Sequence, residues 1–350
     1  SLPHQAPFTI SSVACTEGCI NVPRSYCNRH GIQIRQKYSV FYRIFRPNSI
    51  KCSKNPPVVV IHGGLGLPSD YLLPIVDNAP YRCVIMYDQL GCGRSESPMD
   101  LNAYSIDGAV EDLQLLLDKL KLERFHLYAH SAGTCIAYEY IKKVCGEWHL
   151  ERNRRGDCIN SPRSQHCISA VFSSGSFHIQ MAKDLTDAME TKVKRDFLST
   201  CDELNPSQVA ERIRMSCICR TPNLPFQLKA AYSKAGTVWK GLDVIQDYVA
   251  ECPLEGEFFF PKIMLLRGEF DFISEELTFQ GWRNIFCEQE VECVTMEGCS
   301  HMPMLEDPAF HGRVINSFYS RYDQDCKEFE SGSLSESASA SESTGGRTGR

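Results

Sequence analysis

The chain has 350 residues, of which 43% are hydrophobic and 23% are charged, which is ordinary usage for a globular protein with a sizeable core. Its formal net charge of −6 argues against the basic surface that nucleic acids or anionic membranes attract. The longest uninterrupted apolar runs, such as Val58–Ile61, are far too short to span a bilayer. Collagen, coiled-coil and wholly disordered architectures are also excluded.

The chain begins Ser-Leu-Pro-His-Gln, without the basic and apolar regions of a secretory signal. Because residue 1 is not methionine, a targeting peptide removed earlier stays open. The 18 cysteines are scattered, and only Cys217 and Cys219 are as close as C-x-C. This spacing argues against structural zinc, and the cysteines that fall inside apolar segments, such as Cys83, Cys135 and Cys167, favour reduced thiols over disulfides. We therefore expect a cytoplasmic compartment and no metal site.

Short apolar segments that end at polar or glycine residues predict buried parallel strands. Four of them precede a long helical region and two follow it: Val58–His62, Cys83–Asp88, Phe125–His130, Ile168–Phe172, Ile263–Arg267 and Val291–Met296. Between the second and third strands, Ser105–Leu122 has apolar residues at helical spacing, with Ser105 as a suitable N-cap. Strands that alternate with helices predict a mostly parallel sheet covered by helices on both faces.

Three regions depart from this alternation and set the predicted domain boundaries. Residues 146–166 are rich in Arg, Asn and Ser and predict a loop insertion, and residues 176–258 predict a helical cap. Residues 331–350 contain seven serines, no aromatic residue and a Gly-Gly pair, and predict a disordered tail. The core of the fold is therefore expected in residues 1–175 and 259–330.

The third predicted strand runs directly into Ala129-His130-Ser131-Ala132-Gly133, and a helical pattern over Thr134–Val144 follows. Small residues two positions before and after Ser131 fit the tight strand–turn–helix geometry of a nucleophile elbow. Such a turn exposes the serine hydroxyl and directs the backbone N–H of Ala132 at a developing oxyanion. Such a pentapeptide also arises by chance. The prediction therefore needs support from other segments that could supply a second N–H donor, a general base and a carboxylate.

A glycine-rich loop follows the first predicted strand, in the order His62-Gly63-Gly64-Leu65-Gly66. Glycines let the backbone approach a substrate carbonyl, so we expect Gly63 or Gly64 to supply a second N–H donor. The alternatives are a plain turn and a phosphate-binding loop. The phosphate alternative lacks both the Walker lysine and the G-x-G-x-x-G spacing.

A serine nucleophile needs a general base, and the base needs a carboxylate to orient it. Asp271 follows the fifth predicted strand and His301 follows the sixth. With Ser131 they occur in the chain order of the α/β-hydrolase fold, each just after a strand. We therefore predict Ser131 as the nucleophile, His301 as the general base and Asp271 as the orienting carboxylate. The alternative is a surface histidine and a turn-forming aspartate, which the joint occurrence disfavours.

Over roughly residues 55–145 and 230–322 the chain resembles the prolyl aminopeptidase (proline iminopeptidase) family of α/β hydrolases. Three segments carry the likeness: His62-Gly63-Gly64-Leu65-Gly66, Asp88-Gln89-Leu90-Gly91-Cys92-Gly93-Arg94-Ser95, and Ser300-His301-Met302-Pro303 with Glu306 and Pro308. The resemblance implies an α/β-hydrolase fold with a helical cap over the active site. In the family's numbering of its strands, the cap is inserted after the sixth. It also implies cleavage of an N-terminal residue from a peptide, amide or arylamide.

The departures from the family pattern concern the substrate. Ala132 stands where the family usually has Trp or Tyr, and the loop proline is Leu65. Members bind the substrate ammonium with carboxylates, but the corresponding positions here hold Phe272 and, by alignment on Gly236, Ala231. The predicted cap contains carboxylates that either replace these anchors or are solvated helix charges: Asp202, Glu203 and Glu211.

The sequence thus predicts a serine hydrolase that cleaves a peptide, amino-acid amide or ester bond in a small molecule or short peptide. Its oxyanion donors would come from Gly63, Gly64 and Ala132. We expect no cofactor, metal, nucleic acid or membrane partner. Two alternatives stay open: a carboxylesterase or lipase-type hydrolase of non-peptide substrates, and a non-catalytic binding protein on the same scaffold. The substrate-binding residues and the oligomeric state are not predicted.

Overall fold

A computed structural model describes an α/β fold built on one eight-stranded sheet. The residues that the structure describes are 13–47, 55–155, 166–198, 205–253, 260–286 and 290–323. The strands within them are β1 Val13–Cys27, β2 Gln33–Pro47, β3 Val58–Ile61, β4 Val84–Tyr87, β5 Arg124–His130, β6 His166–Ser173, β7 Lys262–Gly268 and β8 Val291–Met296. Across the sheet they follow the order β1-β2-β4-β3-β5-β6-β7-β8.

Strands β3 to β8 pair in parallel, whereas β1 and β2 form an antiparallel hairpin at one edge. The hairpin joins the parallel part through β4, which pairs with β2 over only Tyr42–Phe45. The six parallel strands are those predicted from the sequence, so the mostly parallel sheet is confirmed. The carboxyl ends of parallel strands all lie on the same side of the sheet. The loops after β5, β7 and β8 therefore lie together.

The helices lie between strands from β3 onward and after β8. Those of the described residues are α1 Pro74–Asp77, α2 Ile106–Lys119, α3 Gly133–Arg155, α4 Ile179–Leu198, α5 Pro206–Ile213, α6 Phe226–Ser233, α7 Gly281–Ile285, α8 Pro303–Glu306 and α9 Pro308–Tyr322. Short 3₁₀ turns occur at Ser69–Leu72, Leu101–Ala103 and Leu242–Ile245, and π-helical turns at Arg214–Ile218 and Glu276–Gln280.

Apolar residues of β3 show that both faces of the sheet are covered. Val59 and Ile61 belong to one buried cluster together with α2 and α3, whereas Val58 and Val60 belong to a second cluster with α9. Successive residues of a strand point to opposite faces, so the sheet separates two cores. This arrangement explains why the parallel strands are almost continuously apolar.

Helix α2 begins where the sequence predicts. The Ser105 hydroxyl accepts a 2.9 Å hydrogen bond from the Gly108 N–H, which satisfies one of the free donors of the first turn. Its buried face carries Val110, Leu113 and Leu116 against the sheet. The helix therefore fixes the connection between β4 and β5, the strand that leads into Ser131.

The predicted loop insertion at 146–166 is wrong over its first part, because α3 continues to Arg155. A glycine inside a helix costs only about 1 kcal/mol relative to alanine, and the Glu, Leu and Arg residues that follow Gly146 favour helix. Residues 156–165 and the predicted tail 331–350 lie outside the described residues.

Between β6 and β7 the described residues form α4, α5 and α6 with irregular segments between them. We call residues 176–198 and 205–253 the cap. No helix of the described ranges combines the length and the apolar character that a bilayer crossing needs. Within the same ranges, no group of three or more His, Cys, Asp or Glu side chains is arranged to hold a metal ion.

Candidate active site

Ser131 occupies a strained turn between β5 and α3. Its φ of 51° lies in the left-handed region, which residues other than glycine rarely adopt, and its N–H donates a 2.8 Å hydrogen bond to the Ser173 carbonyl of β6. A side chain at Gly133 would place its Cβ 2.6 Å from the Ile61 carbonyl oxygen. The tight packing of the turn against β3 and β6 is therefore why small residues surround Ser131 in the sequence.

The structure brings the three predicted residues Ser131, His301 and Asp271 into one hydrogen-bonded chain. His301 Nε2 lies 3.0 Å from Ser131 Oγ, and His301 Nδ1 lies 2.9 Å from Asp271 Oδ1. All three side chains are buried, with residue exposures of 5–8%. They come from the loops after β5, β8 and β7, which the parallel topology places at one edge of the sheet.

The carboxylate of Asp271 has few other partners. Oδ1 also accepts the Ile273 N–H at 3.0 Å, and Oδ2 is buried without a hydrogen-bond partner among the described residues. A buried carboxylate next to an imidazole stabilises the imidazolium once that ring takes up a proton. The arrangement can therefore support proton removal from the serine hydroxyl.

Glu306 holds the loop that carries His301. Its carboxylate accepts the N–H groups of Ser300 and Met302 at 2.8 and 3.1 Å, and the Ser300 hydroxyl at 3.0 Å. It also accepts the Arg220 N–H of the cap at 3.0 Å. Burial raises the pKa of this carboxyl, against the four donors, which lower it. The residue thus ties both neighbours of His301 to the cap.

The glycine loop is fixed from two sides at Gly63. The Gly63 N–H donates to Tyr71 Oη at 2.8 Å, and its carbonyl lies 3.0 Å from His62 Nδ1. His62 Nε2 accepts the Gln89 N–H at 2.9 Å, so Nδ1 carries the proton and donates to the carbonyl. Burial lowers the pKa of His62, which keeps this ring neutral.

These bonds decide which loop amide is available to a substrate. The bond to Tyr71 contradicts the predicted donor role of Gly63, because its N–H is already engaged. In the trans peptide that follows, the Gly64 N–H points away from the Gly63 carbonyl. Among the described residues, neither the Gly64 N–H nor the Ala132 N–H donates to another group.

The glycine loop touches the elbow directly. A Cβ on Gly63 would lie 2.6 Å from Ser131 Cβ and 3.1 Å from the Ala132 nitrogen. Only glycine fits this approach, which explains the residue type at the position. The glycine loop and the start of α3 are therefore packed together beside Ser131.

Phe272 forms an apolar wall beside His301. The two ring centroids lie 4.4 Å apart with planes tilted by 41°, and Phe272 is partly exposed. It packs against a small cluster of buried apolar residues: Ala182, Ile273 and Leu277. An aromatic ring thus borders the His301 imidazole at a position that the sequence marks as a departure from the family.

Of the three carboxylates considered from the sequence, Glu211 is the one within the described residues. Glu211 is paired with Arg214, whose Nε lies 2.8 Å from its Oε2, within the cap. Ala231 is fully buried in the second core cluster. Asp202 and Glu203 lie outside the described residues.

The cap is fastened to the glycine loop and to the His301 loop chiefly through backbone atoms. The Gly236 N–H donates to the Gly66 carbonyl at 2.7 Å, and the Cys217 carbonyl accepts the His301 N–H at 3.1 Å. Side-chain pairs join the cap to other parts of the core, among them Lys234 Nζ with Asp70 Oδ2 at 3.4 Å and Tyr248 Oη with Glu139 Oε1 at 3.1 Å. The cap therefore contacts both the glycine loop and the His301 loop.

Comparisons with known proteins agree with this arrangement. A family model of the alpha/beta hydrolase fold matches residues 56–144. The proline iminopeptidase of Saccharolobus solfataricus is 32% identical over 314 residues, which cover 85% of this chain and 93% of that protein.

Solved structures resemble this chain at lower sequence identity, so their likeness concerns the fold. The proline iminopeptidase of Mycobacterium smegmatis superposes with a TM-score of 0.63 at 17% identity, over 87% of this chain and all of that one. A thermophilic esterase from Thermogutta terrifontis does so with a TM-score of 0.56 at 13% identity, over 86% and 99% of the two chains.

Proposed function

Because the chain belongs to the proline iminopeptidase family of α/β hydrolases, we propose that it is a serine hydrolase that forms an acyl-enzyme on Ser131. The observation that carries the proposal is the hydrogen-bonded chain from Ser131 Oγ through His301 to Asp271, at 3.0 and 2.9 Å. Its substrate is a small molecule or short peptide with a peptide, amino-acid amide or ester bond.

The first half of the reaction follows from the tautomer of His301. Asp271 accepts the Nδ1–H, which leaves the Nε2 lone pair directed at the Ser131 hydroxyl. As Ser131 Oγ attacks the substrate carbonyl carbon, His301 takes up the hydroxyl proton. The charge of Asp271 stabilises the imidazolium that forms.

The negative charge that develops on the substrate oxygen needs donors that are already in place. We assign this role to the backbone N–H groups of Gly64 and Ala132, which are not used elsewhere among the described residues. Donors held by the fold need no reorganisation as the charge appears, and each contributes about 10²–10³ in rate.

The tetrahedral intermediate then collapses, and His301 returns its proton to the leaving amine or alcohol. The acyl group stays on Ser131 until a water molecule, deprotonated by the same imidazole, attacks the ester carbonyl. Proton transfer back to Ser131 Oγ restores the starting state. No residue other than the hydrogen-bonded Ser131, His301 and Asp271 has to take part in proton transfer.

Two substrate classes remain within this proposal. The names of the relatives favour the release of N-terminal proline from a peptide or arylamide. A carboxylesterase is the second candidate, and Phe272 supports it, because a ring at this position supplies no carboxylate to pair with a substrate ammonium beside His301. The small side chain of Ala132 leaves further room at the elbow.

Replacement of Ser131 by alanine tests the nucleophile. Ser131→Ala should abolish labelling by a fluorophosphonate probe and lower kcat by about 10⁶-fold. Ser174→Ala is a matched control, because Ser174 also has a positive φ, 53°, follows β6 at the same edge and is buried. Labelling that persists in Ser131→Ala, or disappears in Ser174→Ala, would mean that another residue is the nucleophile.

The substrate class is tested with three compounds of similar size: proline arylamide, its N-acetylated form and an aryl butyrate. Cleavage of the free-amine arylamide, with loss of at least about tenfold on acetylation, supports the aminopeptidase. Butyrate hydrolysis without arylamide cleavage supports the esterase. Inertness to all three and to the fluorophosphonate would favour a non-catalytic binding protein.

A further inference from the structure

Behind Ser131, a buried chain of hydrogen bonds joins three separate loops. The Gly63 N–H donates to Tyr71 Oη at 2.8 Å, Tyr71 Oη lies 3.0 Å from His130 Nδ1, and His130 Nε2 lies 2.8 Å from the His301 carbonyl. The side chains of Tyr71 and His130 are buried and meet edge to face, with ring centroids 5.4 Å apart. The chain thus runs from the glycine loop, past the elbow, to the His301 loop.

The direction of every bond in this chain follows from chemistry. A carbonyl only accepts, so His130 Nε2 carries a hydrogen and donates it to the His301 carbonyl. Nδ1 of the neutral ring then accepts the Tyr71 O–H, and the Tyr71 oxygen keeps a lone pair for the Gly63 N–H. Burial, and next the nearby His301 ring, lower the pKa of His130 well below its ordinary value. The ring therefore stays neutral when His301 takes up a proton.

We propose that Tyr71 and His130 are positioning residues that lock the oxyanion loop at Gly63–Gly64 to the loop of the general base His301. The inference rests on the proposed function and assigns these two side chains a role in the same site. Tyr71 fixes the peptide plane before Gly63, and His130 fixes the backbone of His301. The Gly64 donor and the imidazole are thereby held in one frame with the elbow, as preorganised catalysis requires.

A second tyrosine–histidine pair in the same molecule separates this role from packing. Tyr128 Oη lies 3.0 Å from His311 Nε2, the ring centroids lie 5.6 Å apart edge to face, and both residues are fully buried. This pair joins β5 to α9 and contacts neither Gly63 nor the His301 loop through its hydrogen bond. It has the same chemistry as Tyr71–His130 without the connection to the site.

The experiment compares Tyr71→Phe with Tyr128→Phe, which remove the same hydroxyl from the two pairs. In Tyr71→Phe, kcat and the rate of fluorophosphonate labelling should fall on the order of 10- to 100-fold while KM stays within about twofold. The affinity for a trifluoromethyl ketone, which becomes a tetrahedral oxyanion on Ser131, should fall by the same factor as kcat. In Tyr128→Phe these values should stay within about twofold of the wild type, although its melting temperature should fall as much as that of Tyr71→Phe.

A double variant shows whether the two residues act as one chain. His130→Phe keeps a planar aromatic ring but removes both hydrogen bonds, and it should lower kcat about as much as Tyr71→Phe. Since the chain can be broken only once, the variant with both changes should lose no more than the larger single loss. Additive losses would overturn the proposal.

The remaining outcomes are distinguishable. Wild-type protein that is labelled and active, together with an unaffected Tyr71→Phe, overturns the positioning role alone. Equal losses of kcat in Tyr71→Phe and Tyr128→Phe, in proportion to the fall in melting temperature, overturn it as well. They would indicate that both tyrosines act only through packing. Wild-type protein that is neither labelled nor active overturns the proposed function, and the positioning role with it.

Discussion

The loops at the carboxyl ends of the parallel strands, called the edge below, differ from the cap in how they contribute to the site. At the edge, the residues proposed for chemistry meet through side-chain atoms, such as His301 Nε2 with Ser131 Oγ and Nδ1 with Asp271 Oδ1. The cap reaches the same site mainly through backbone atoms, such as the Gly236 N–H with the Gly66 carbonyl.

This difference separates two properties of the molecule. Side-chain contacts depend on residue identity, so a single change at the edge removes a reacting group. Backbone contacts survive most substitutions, so the cap can change its lining without losing its place over the loops. We therefore expect the largest effects of single changes at the edge, intermediate effects where edge and cap meet, and small effects in the cap.

Asp271→Asn should give the largest effect among changes that leave the nucleophile intact. Asparagine has the same size but lacks the charge that stabilises the imidazolium, so kcat should fall about 10⁴-fold. Steady-state rates with the best substrate measure this. Asp243→Asn is the control, because Asp243 is an exposed residue of the cap paired with Lys183 at 3.4 Å, and its kcat should not change. Equal effects of the two changes would break the contrast between edge and cap.

Acid should destabilise the core through its buried imidazoles. Burial lowers the pKa of His311 to about 3, so the unfolded chain binds a proton at higher pH than the folded one. As the pH is lowered from 6.5 to about 3, the free energy of unfolding should decrease, by up to about 1.4 kcal/mol per pH unit for this imidazole. Above pH 6.5 the group should have no effect.

Urea unfolding at several pH values checks this in His311→Gln, whose free energy of unfolding should depend less steeply on pH below 6.5 than that of the wild type. His30→Gln, in the exposed turn between β1 and β2, should keep the wild-type slope. Identical slopes in wild type and His311→Gln would contradict the prediction.

Much of the edge could be predicted because local sequence determines it. The parallel strands are short apolar runs, and the residues that follow them lie at one edge whatever the rest of the chain does. Ser131 needs small neighbours in a tight turn, which is visible in five letters of sequence. Order along the chain then predicts which aspartate and histidine accompany it.

The rest depends on contacts between distant segments. The β1–β2 hairpin has no clear signal, because the first five residues of β2 are exposed or only partly buried and its fully buried residues begin at Tyr38. The engagement of the Gly63 N–H was not predictable either, since it depends on Tyr71, eight residues away and held by α1 and the cap. A tyrosine after the glycine loop together with a histidine in the elbow is the only trace of it in the sequence.

Glu306→Gln tests the place where edge and cap meet. The neutral amide would turn N–H groups toward the donors of Ser300, Met302 and Arg220, so the free energy of unfolding should fall by about 1–3 kcal/mol. Because both neighbours of His301 are released, kcat/KM should fall about tenfold, with changes in kcat and KM together. Thermal unfolding and steady-state kinetics measure these two effects.

The control for Glu306→Gln is Glu292→Gln, whose exposed carboxylate pairs with Arg321 between β8 and α9. An exposed ion pair contributes little, so its stability should change by less than about 1 kcal/mol and its kinetics should not change. If Glu306→Gln loses stability but keeps kcat/KM, the His301 loop does not depend on this carboxylate.

Lys234→Met should have the smallest effect, although it removes a side-chain ion pair between cap and core. Lys234 is half exposed, its Nζ lies 3.4 Å from Asp70, and Asp70 keeps its ion pairs with Arg43 and Arg94. The free energy of unfolding should fall by less than about 1 kcal/mol, with kcat/KM within about twofold, and the difference should vanish near 1 M salt. Lys229→Met is the control, because Lys229 is exposed on α6, the helix that ends just before Lys234. A loss of kcat/KM beyond about tenfold in Lys234→Met alone would mean that a side chain, rather than the backbone contacts, holds the cap in place.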